Sequence, residues 1–241
     1  MLKKLTRKLR DVAATRIRSA GFFRSSWYSR YEFQMSPRQL CYLAKCIDKI
    51  KNVEGSIVEI GCAHGLTTTF LYEYMIDSGF RKEYVCIDTF AGFTKEDILV
   101  EVDDRRKSEF TYTKIFKDNN PVWFREALET RNITDVSIIQ ADISELSENK
   151  LPDQIAFCLV DVDLYRPVLS ALNKIYPRMN PDGIIVVDDC WYRPSPSFVP
   201  NVAEAYDGAM QAYREFTRKL KIPEHLVEDK LGIIGRNQVV A

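Results

Sequence analysis

From Ser56 to Gly235, short apolar runs alternate with longer segments that are apolar on one helical face only, and the links between them are short. This alternation constrains the fold more than any other feature of the chain. Strands read at 56–60, 83–88, 136–141, 155–161, 183–188 and 231–235, and helices at 36–51, 66–78, 121–131, 166–178 and 202–220. The run Ile155-Ala156-Phe157-Cys158-Leu159-Val160 is apolar at every position, as expected of a strand covered on both faces. Strands separated by helices cannot pair as hairpins; they cross over and pair in parallel. The expected fold is α/β, a doubly wound Rossmann-like sheet spanning 36–241.

Residues 1–35 read differently. Leu2, Leu5, Leu9, Val12, Ala13 and Ile17 fall at helical spacing among eight basic residues, against Asp11 alone through residue 24. This is a basic amphipathic arm. It suits peripheral docking on an anionic membrane, packing against a sister subunit in a homo-oligomer, or a mitochondrial targeting segment. Residues 21–34 form an aromatic, Arg-rich loop in which Trp27, Tyr28, Tyr31 and Phe33 either stack on a ligand or pack at an interface. The charge-dense stretch 91–119 is either a lid or a solvated surface helix. Lys plus Arg equals Asp plus Glu at 34 each, so global charge favours no partner. Basic residues cluster only in the arm, which argues against nucleic acid at the proposed site. Six scattered cysteines, the absence of a signal-like apolar run and the absence of a span-length run lead us to expect a cytoplasmic, reducing compartment.

A glycine turn, Gly61-Cys62-Ala63-His64-Gly65, follows the first strand and opens a helix at Leu66. It lets backbone approach a ligand, and the helix start favours polar groups. The middle glycine of a dinucleotide-binding G-x-G-x-x-G is missing. Glu59 and His64 crowd the position of a pyrophosphate. The turn therefore suits a phosphate-free, amino-bearing cofactor such as S-adenosylmethionine, with Glu59 orienting its ammonium. Asp88, at the end of strand two, is placed to accept from ribose hydroxyls. Asp142, at the end of strand three, contacts an adenine amino group or caps a short helix at 143–148.

Four carboxylates stand at the ends of two further strands: Asp161 and Asp163, then Asp188 and Asp189. Burying unpaired acids is costly, so the cluster needs a reason. A divalent cation with one acid left over to move a proton supplies one, and oxygen ligands suit Mg²⁺. With only two histidines, zinc is disfavoured. Asp161 and Asp163, at i and i+2, share a side if the chain stays extended; Asp188 and Asp189 act together only if their strand ends there.

Val58-Glu59-Ile60-Gly61-x-x-x-Gly65, Ile87-Asp88-Thr89-Phe90-x-Gly92-Phe93, Asp161-x-Asp163-Leu164-Tyr165 and Val187-Asp188-Asp189 together resemble the macrocin O-methyltransferase family, class I sugar O-methyltransferases dependent on S-adenosylmethionine and Mg²⁺. The resemblance implies Asp161, Asp188 and Asp189 as metal ligands, Asp163 as general base, and Glu59, Gly61 and Asp88 as cofactor contacts. Gly65 joins the cofactor set from the glycine turn, and Asp142 from the end of strand three. Arg166-Pro167, the segment 191–200 and the turn Cys62-Ala63-His64 depart from that family where the acceptor should bind. Catechol or another phenol is a competing acceptor, because adjacent hydroxyls chelate Mg²⁺ in the same manner. An NAD-dependent dehydrogenase and a non-catalytic binding module are the readings outside this class.

Overall fold

The computed structural model describes residues 31–109, 112, 116–192 and 206–235. The chain divides into two compact units, Met1–Gln34 and Met35–Ala241. The basic arm, Trp27, Tyr28 and residues 193–205 lie outside the described residues. Within the first unit, the rings of Tyr31 and Phe33 lie 5.7 Å apart.

The second unit begins with helix α1 (Pro37–Lys49). Ser36 caps it, with Pro37 at the first turn and Gln39 closing a reciprocal capping box. Then follow β1 (Ser56–Ile60), α2 (Leu66–Asp77), β2 (Tyr84–Asp88), α3 (Lys95–Leu99), α4 (Pro121–Glu129), β3 (Val136–Gln140), β4 (Ile155–Val160), α5 (Tyr165–Ile175), β5 (Met179–Val187), α6 (Asp207–Leu220), β6 (Leu226–Val227) and β7 (Leu231–Gly235).

The sheet order is β3-β2-β1-β4-β5-β7-β6. Five strands are parallel, as the alternation requires. The last two are not: β7 runs antiparallel to β5 and to β6. The purely parallel expectation fails here because no helix separates β6 from β7. Glu228 and Asp229 take left-handed backbone between them and reverse the chain in a hairpin. β5 also starts earlier than its apolar run, because Met179 pairs with Ile155 ahead of a register shift.

The central strands β1 and β4 are buried throughout, while edge strand β3 is partly exposed. On one face, Val58, Ile60, Cys158, Val160, Ile185 and Val187 pack with Val168, Leu172, Ala209, Met210 and Phe216 of α5 and α6. Each such side chain contributes roughly 1.5–3 kcal/mol by leaving water. Strand order reverses between β1 and β4, which opens a crevice at their carboxyl ends.

Two local expectations need correction. No helix forms over 143–148; the Asp142 carbonyl accepts from Glu145 and Leu146 in a single turn, and a short 3₁₀ turn follows at Glu148–Lys150. Nor is 91–119 a solvated helix. Asp97 and Glu101 are buried, and a π-turn at Val100–Asp104 carries Glu101 inward. There Glu101 accepts from the Tyr165 amide at 2.8 Å and pairs with Arg105 at 2.7 Å, and Arg105 also reaches Asp207.

Candidate active site

The crevice has two walls. The first is the glycine turn after β1. Gly61 has φ +86°, and a Cβ there would lie 1.8 Å from the Asp161 carbonyl oxygen, so only glycine fits. Gly65, at φ +80°, starts α2 with the Phe124 ring against it. Asp88 stands at the end of β2. Its Oδ2 accepts from the Ala63 amide at 2.9 Å and its Oδ1 from the Phe90 amide at 2.6 Å. Burial raises the Asp88 pKa, while these amides oppose the rise. The carboxylate thus holds the turn in shape. Glu59 is fully buried beneath it. Its Oε2 accepts from the Tyr84 hydroxyl at 2.7 Å, and Thr68 of α2 also bonds it. Desolvation raises its pKa to about 7, against those hydrogen bonds. Asp142 accepts from the Ser144 amide at 2.8 Å and pairs with Arg166 at 3.3 Å. Arg166 also holds Asp97 at 2.8 Å and Glu145 at 2.5 Å, so this departure residue is structurally committed.

The second wall carries the four aspartates. The Asp161 amide donates to the Ile60 carbonyl at 2.8 Å, and the Asp188 amide to the Val160 carbonyl at 2.9 Å. Both residues therefore continue the ladder one step past the strand ends. The chain does not stay extended to Asp163, as its shared side with Asp161 was expected to require. A tight turn, closed by the Leu164 amide on the Val162 carbonyl at 2.6 Å, puts Asp163 at φ +60°. Asp189 is likewise left-handed at φ +56°, because β5 ends at Val187. Aspartate tolerates this region better than most residues. The two turns deliver what a regular strand could not. After burial, Asp188 is the neighbour that most raises the Asp161 pKa, and Asp189 the one that most raises that of Asp163.

Burial first, then the neighbouring carboxylates, raises the Asp161 and Asp163 pKa values well above the ordinary range. Asp188 is also raised by burial, although the Lys230 ammonium works against the shift. Lys230 Nζ lies 2.5 Å from Asp188 Oδ2 and 2.9 Å from Asp189 Oδ1. Burial opposes its charge, but Asp188, Asp189 and Asp161 together hold its pKa above the usual value. Among the described residues, Asp188 Oδ1 is buried and has no partner.

A divalent cation fits this donor set by charge and by chemistry: hard oxygens, a surplus of negative charge and one orphaned oxygen. No three acidic, His or Cys side chains among the described residues already converge as a metal site. The Lys230 ammonium sits between Asp188 and Asp189 instead.

Lys230 and Tyr206 escaped sequence reasoning, and Trp191 was read only as the first residue of the departing segment 191–200. Lys230 arrives from the β6–β7 turn. Trp191, directly after Asp188-Asp189-Cys190, lies under Lys230 with ring centroid and ammonium 5.3 Å apart. Tyr206 precedes α6; burial, then Asp163 and Asp189, raises its pKa. Only the adjacency of Trp191 to the Asp pair was a usable signal.

Residues 58–190, from the middle of β1 to just past Asp189, match a family described as a methyltransferase domain. The fold is similar to that of the O-methyltransferase NovP, with TM-score 0.66 and 16% identity over 88% of this chain and 85% of that one. Calicheamicin methyltransferase CalS11, also described as a TDP-rhamnose 3'-O-methyltransferase, matches with TM-score 0.65 and 20% identity over 83% and 79%. The methyltransferase PaMTH1 of Podospora anserina, solved with S-adenosylhomocysteine, matches with TM-score 0.54 and 18% identity over 85% and 82%. No curated protein sequence matches the chain. The family match covers more than half of the chain, from the glycine turn through all four aspartates: the protein belongs to this methyltransferase-domain family and is an S-adenosylmethionine-dependent methyltransferase.

Proposed function

We propose that the protein methylates a hydroxyl of a sugar, carried on a glycan, a nucleotide sugar or a glycosylated natural product, with Mg²⁺ held by Asp161, Asp188 and Asp189. The observation that carries this reading is the group of four aspartates at the switch point, in which buried Asp188 and Asp189 share one ammonium and Asp188 retains an orphaned oxygen. The sugar class is supported by the likeness to CalS11. When bound, Mg²⁺ supplies Lewis-acid chemistry that lowers the pKa of a coordinated hydroxyl.

The chain's own residues do the rest. The glycine turn, held by Asp88, receives the donor. Glu59 accepts from the donor's ammonium. Asp163, across from Asp189, takes the acceptor's hydroxyl proton. The acceptor oxygen attacks the methyl carbon in line, and the carbon–sulfur electron pair stays with sulfur, leaving S-adenosylhomocysteine. Holding two substrates in one geometry supplies much of the acceleration.

The test is methyl transfer from labelled S-adenosylmethionine to a panel of nucleotide sugars and catechols, with Mg²⁺ or with chelator. Transfer to a sugar that is lost with chelator and in Asp163→Asn supports the reading. Equal turnover by Asp163→Asn and Asp188→Asn in Mg²⁺ contradicts it. A phenolic acceptor is the second reading. A row of rings favours it: Phe116, Phe93, Tyr112 and Tyr206 stand edge to face at 5.8, 6.1 and 6.1 Å, and Asp163 and Asp189 act on the pKa of Tyr206.

A further inference from the structure

Lys230 reaches the aspartates from an element that sequence reasoning gave no role. It follows Glu228 and Asp229, whose left-handed backbones make the hairpin tip. That tip is fixed from several sides. The Cys190 amide donates to the Lys230 carbonyl at 2.7 Å, and the Asp229 amide donates to the Tyr192 hydroxyl at 3.1 Å. Gln39 of α1 donates to the Glu228 carbonyl at 2.8 Å. Gly232 lets β7 close on the segment after β5, since a Cβ there would lie 2.8 Å from Cys190 Sγ. A rigid tip therefore aims the side chain across Trp191 into the space between Asp188 and Asp189.

A buried lysine is costly unless its charge is met, and a purely structural pair would match one charge with one. This group does not match. Asp188 and Asp189, both buried, share one ammonium, and Asp161 acts on the same ammonium. Asp188 keeps one oxygen on Lys230 and one with no partner. The arrangement is a cation site half filled by the protein itself.

We propose that Lys230 is a built-in counter-cation that competes with the divalent metal for Asp188 and Asp189. It holds both carboxylates in the metal-free protein and yields at least one of their oxygens when the metal enters. Lys230 is a positioning residue: it keeps mutually repelling acids in place until they are loaded. The inference rests on the metal reading above and adds the competing side chain.

The experiment is calorimetric titration of the full chain with MgCl₂, wild type against Lys230→Met, paired with thermal unfolding of each with and without Mg²⁺. Removing a like charge within hydrogen-bond reach should tighten Mg²⁺ binding about tenfold or more. The metal-free variant should melt lower than wild type, and Mg²⁺ should raise its midpoint by more than it raises that of wild type. Equal or weaker Mg²⁺ binding by the variant, with wild type binding normally, overturns the proposal and leaves the metal reading standing. Absence of Mg²⁺ binding by both chains removes the metal reading and the proposal with it. Should the variant not fold, lysine-labelled wild type decides by NMR. One ammonium resonance protected from exchange should shift or lose protection as Mg²⁺ is added; a protected resonance indifferent to saturating Mg²⁺ overturns the proposal.

Discussion

The two walls of the crevice both carry buried acids, and they treat them in opposite ways. On the β1–β2 side, Asp88 is met by the Ala63 and Phe90 amides, and Glu59 by Tyr84 and Thr68. On the β4–β5 side, Asp188 and Asp189 share one lysine and an Asp188 oxygen remains orphaned. Satisfied acids shape backbone; unsatisfied acids mark where an absent positive charge belongs. The first wall is a mould and the second is half of a reaction centre. Substitutions should separate them, since the mould should fail in stability or donor affinity and the centre in turnover.

The largest effect belongs to the centre. Asp163→Asn or Asp188→Asn should lower turnover by about 10²–10⁴-fold in Mg²⁺, as expected when a general base or ligand is lost. Affinity for S-adenosylhomocysteine should stay within a small factor. Single-turnover kinetics beside a binding titration checks both, and a matching loss of affinity would erase the distinction between the walls.

Gly61→Ala comes next. It forces a Cβ to within 1.8 Å of a carbonyl oxygen at φ +86°, and should cost more than about 3 kcal/mol in urea unfolding. Gly79 is the control at the other end of the scale. It has φ +76° with nothing near its would-be Cβ, so Gly79→Ala should cost only about 1 kcal/mol.

Glu59 lies between these in size and adds a pH signature. Its folded pKa, about 7, lies above its unfolded value, so folding favours the protonated form. The associated stability is fully present below the unfolded pKa and is lost as pH rises to about 7. Against Glu59→Gln, the unliganded wild type should lose up to about 3 kcal/mol between roughly pH 4.5 and 7, at 1.36 kcal/mol per pKa unit. Donor affinity should rise over the same window in wild type, because the carboxylate must be charged to hold an ammonium. A flat difference across that window would show that Glu59 is not raised. The smallest functional effect is that of Asp88→Ala, which should weaken S-adenosylhomocysteine binding about tenfold to a hundredfold by loosening the turn. Unchanged affinity would mean that the glycines hold the turn alone.

Much of this was legible before any coordinates. Apolar runs fixed the limits of β1, β2, β4 and β7 to within a residue, because fully buried strands permit nothing else at those positions. Gly61 and Gly65 were readable as close-approach positions, and the Asp pairs as an anomaly at strand ends. What escaped was whatever depends on chain reversal or on distant partners. Asp161 and Asp163 were expected to share a side of an extended chain, yet a tight turn at Leu164 brings Asp163 toward Asp189. Asp142 was expected to contact an adenine amino group or to cap a short helix; it caps a turn while pairing with Arg166, 24 residues away. Lys230 was invisible, because no local pattern distinguishes a lysine at a surface hairpin from one aimed inward. The hairpin itself hid behind a two-residue strand, β6, too short to carry periodicity.

The most direct measurement of the account is calorimetric titration of the purified chain with S-adenosylhomocysteine, with and without Mg²⁺, and with Asp88→Ala alongside. The account predicts saturable binding by wild type, weakened in Asp88→Ala, and a separate binding isotherm for Mg²⁺ that Asp188→Asn removes. A folded wild-type protein that takes up neither S-adenosylhomocysteine nor Mg²⁺ would contradict it.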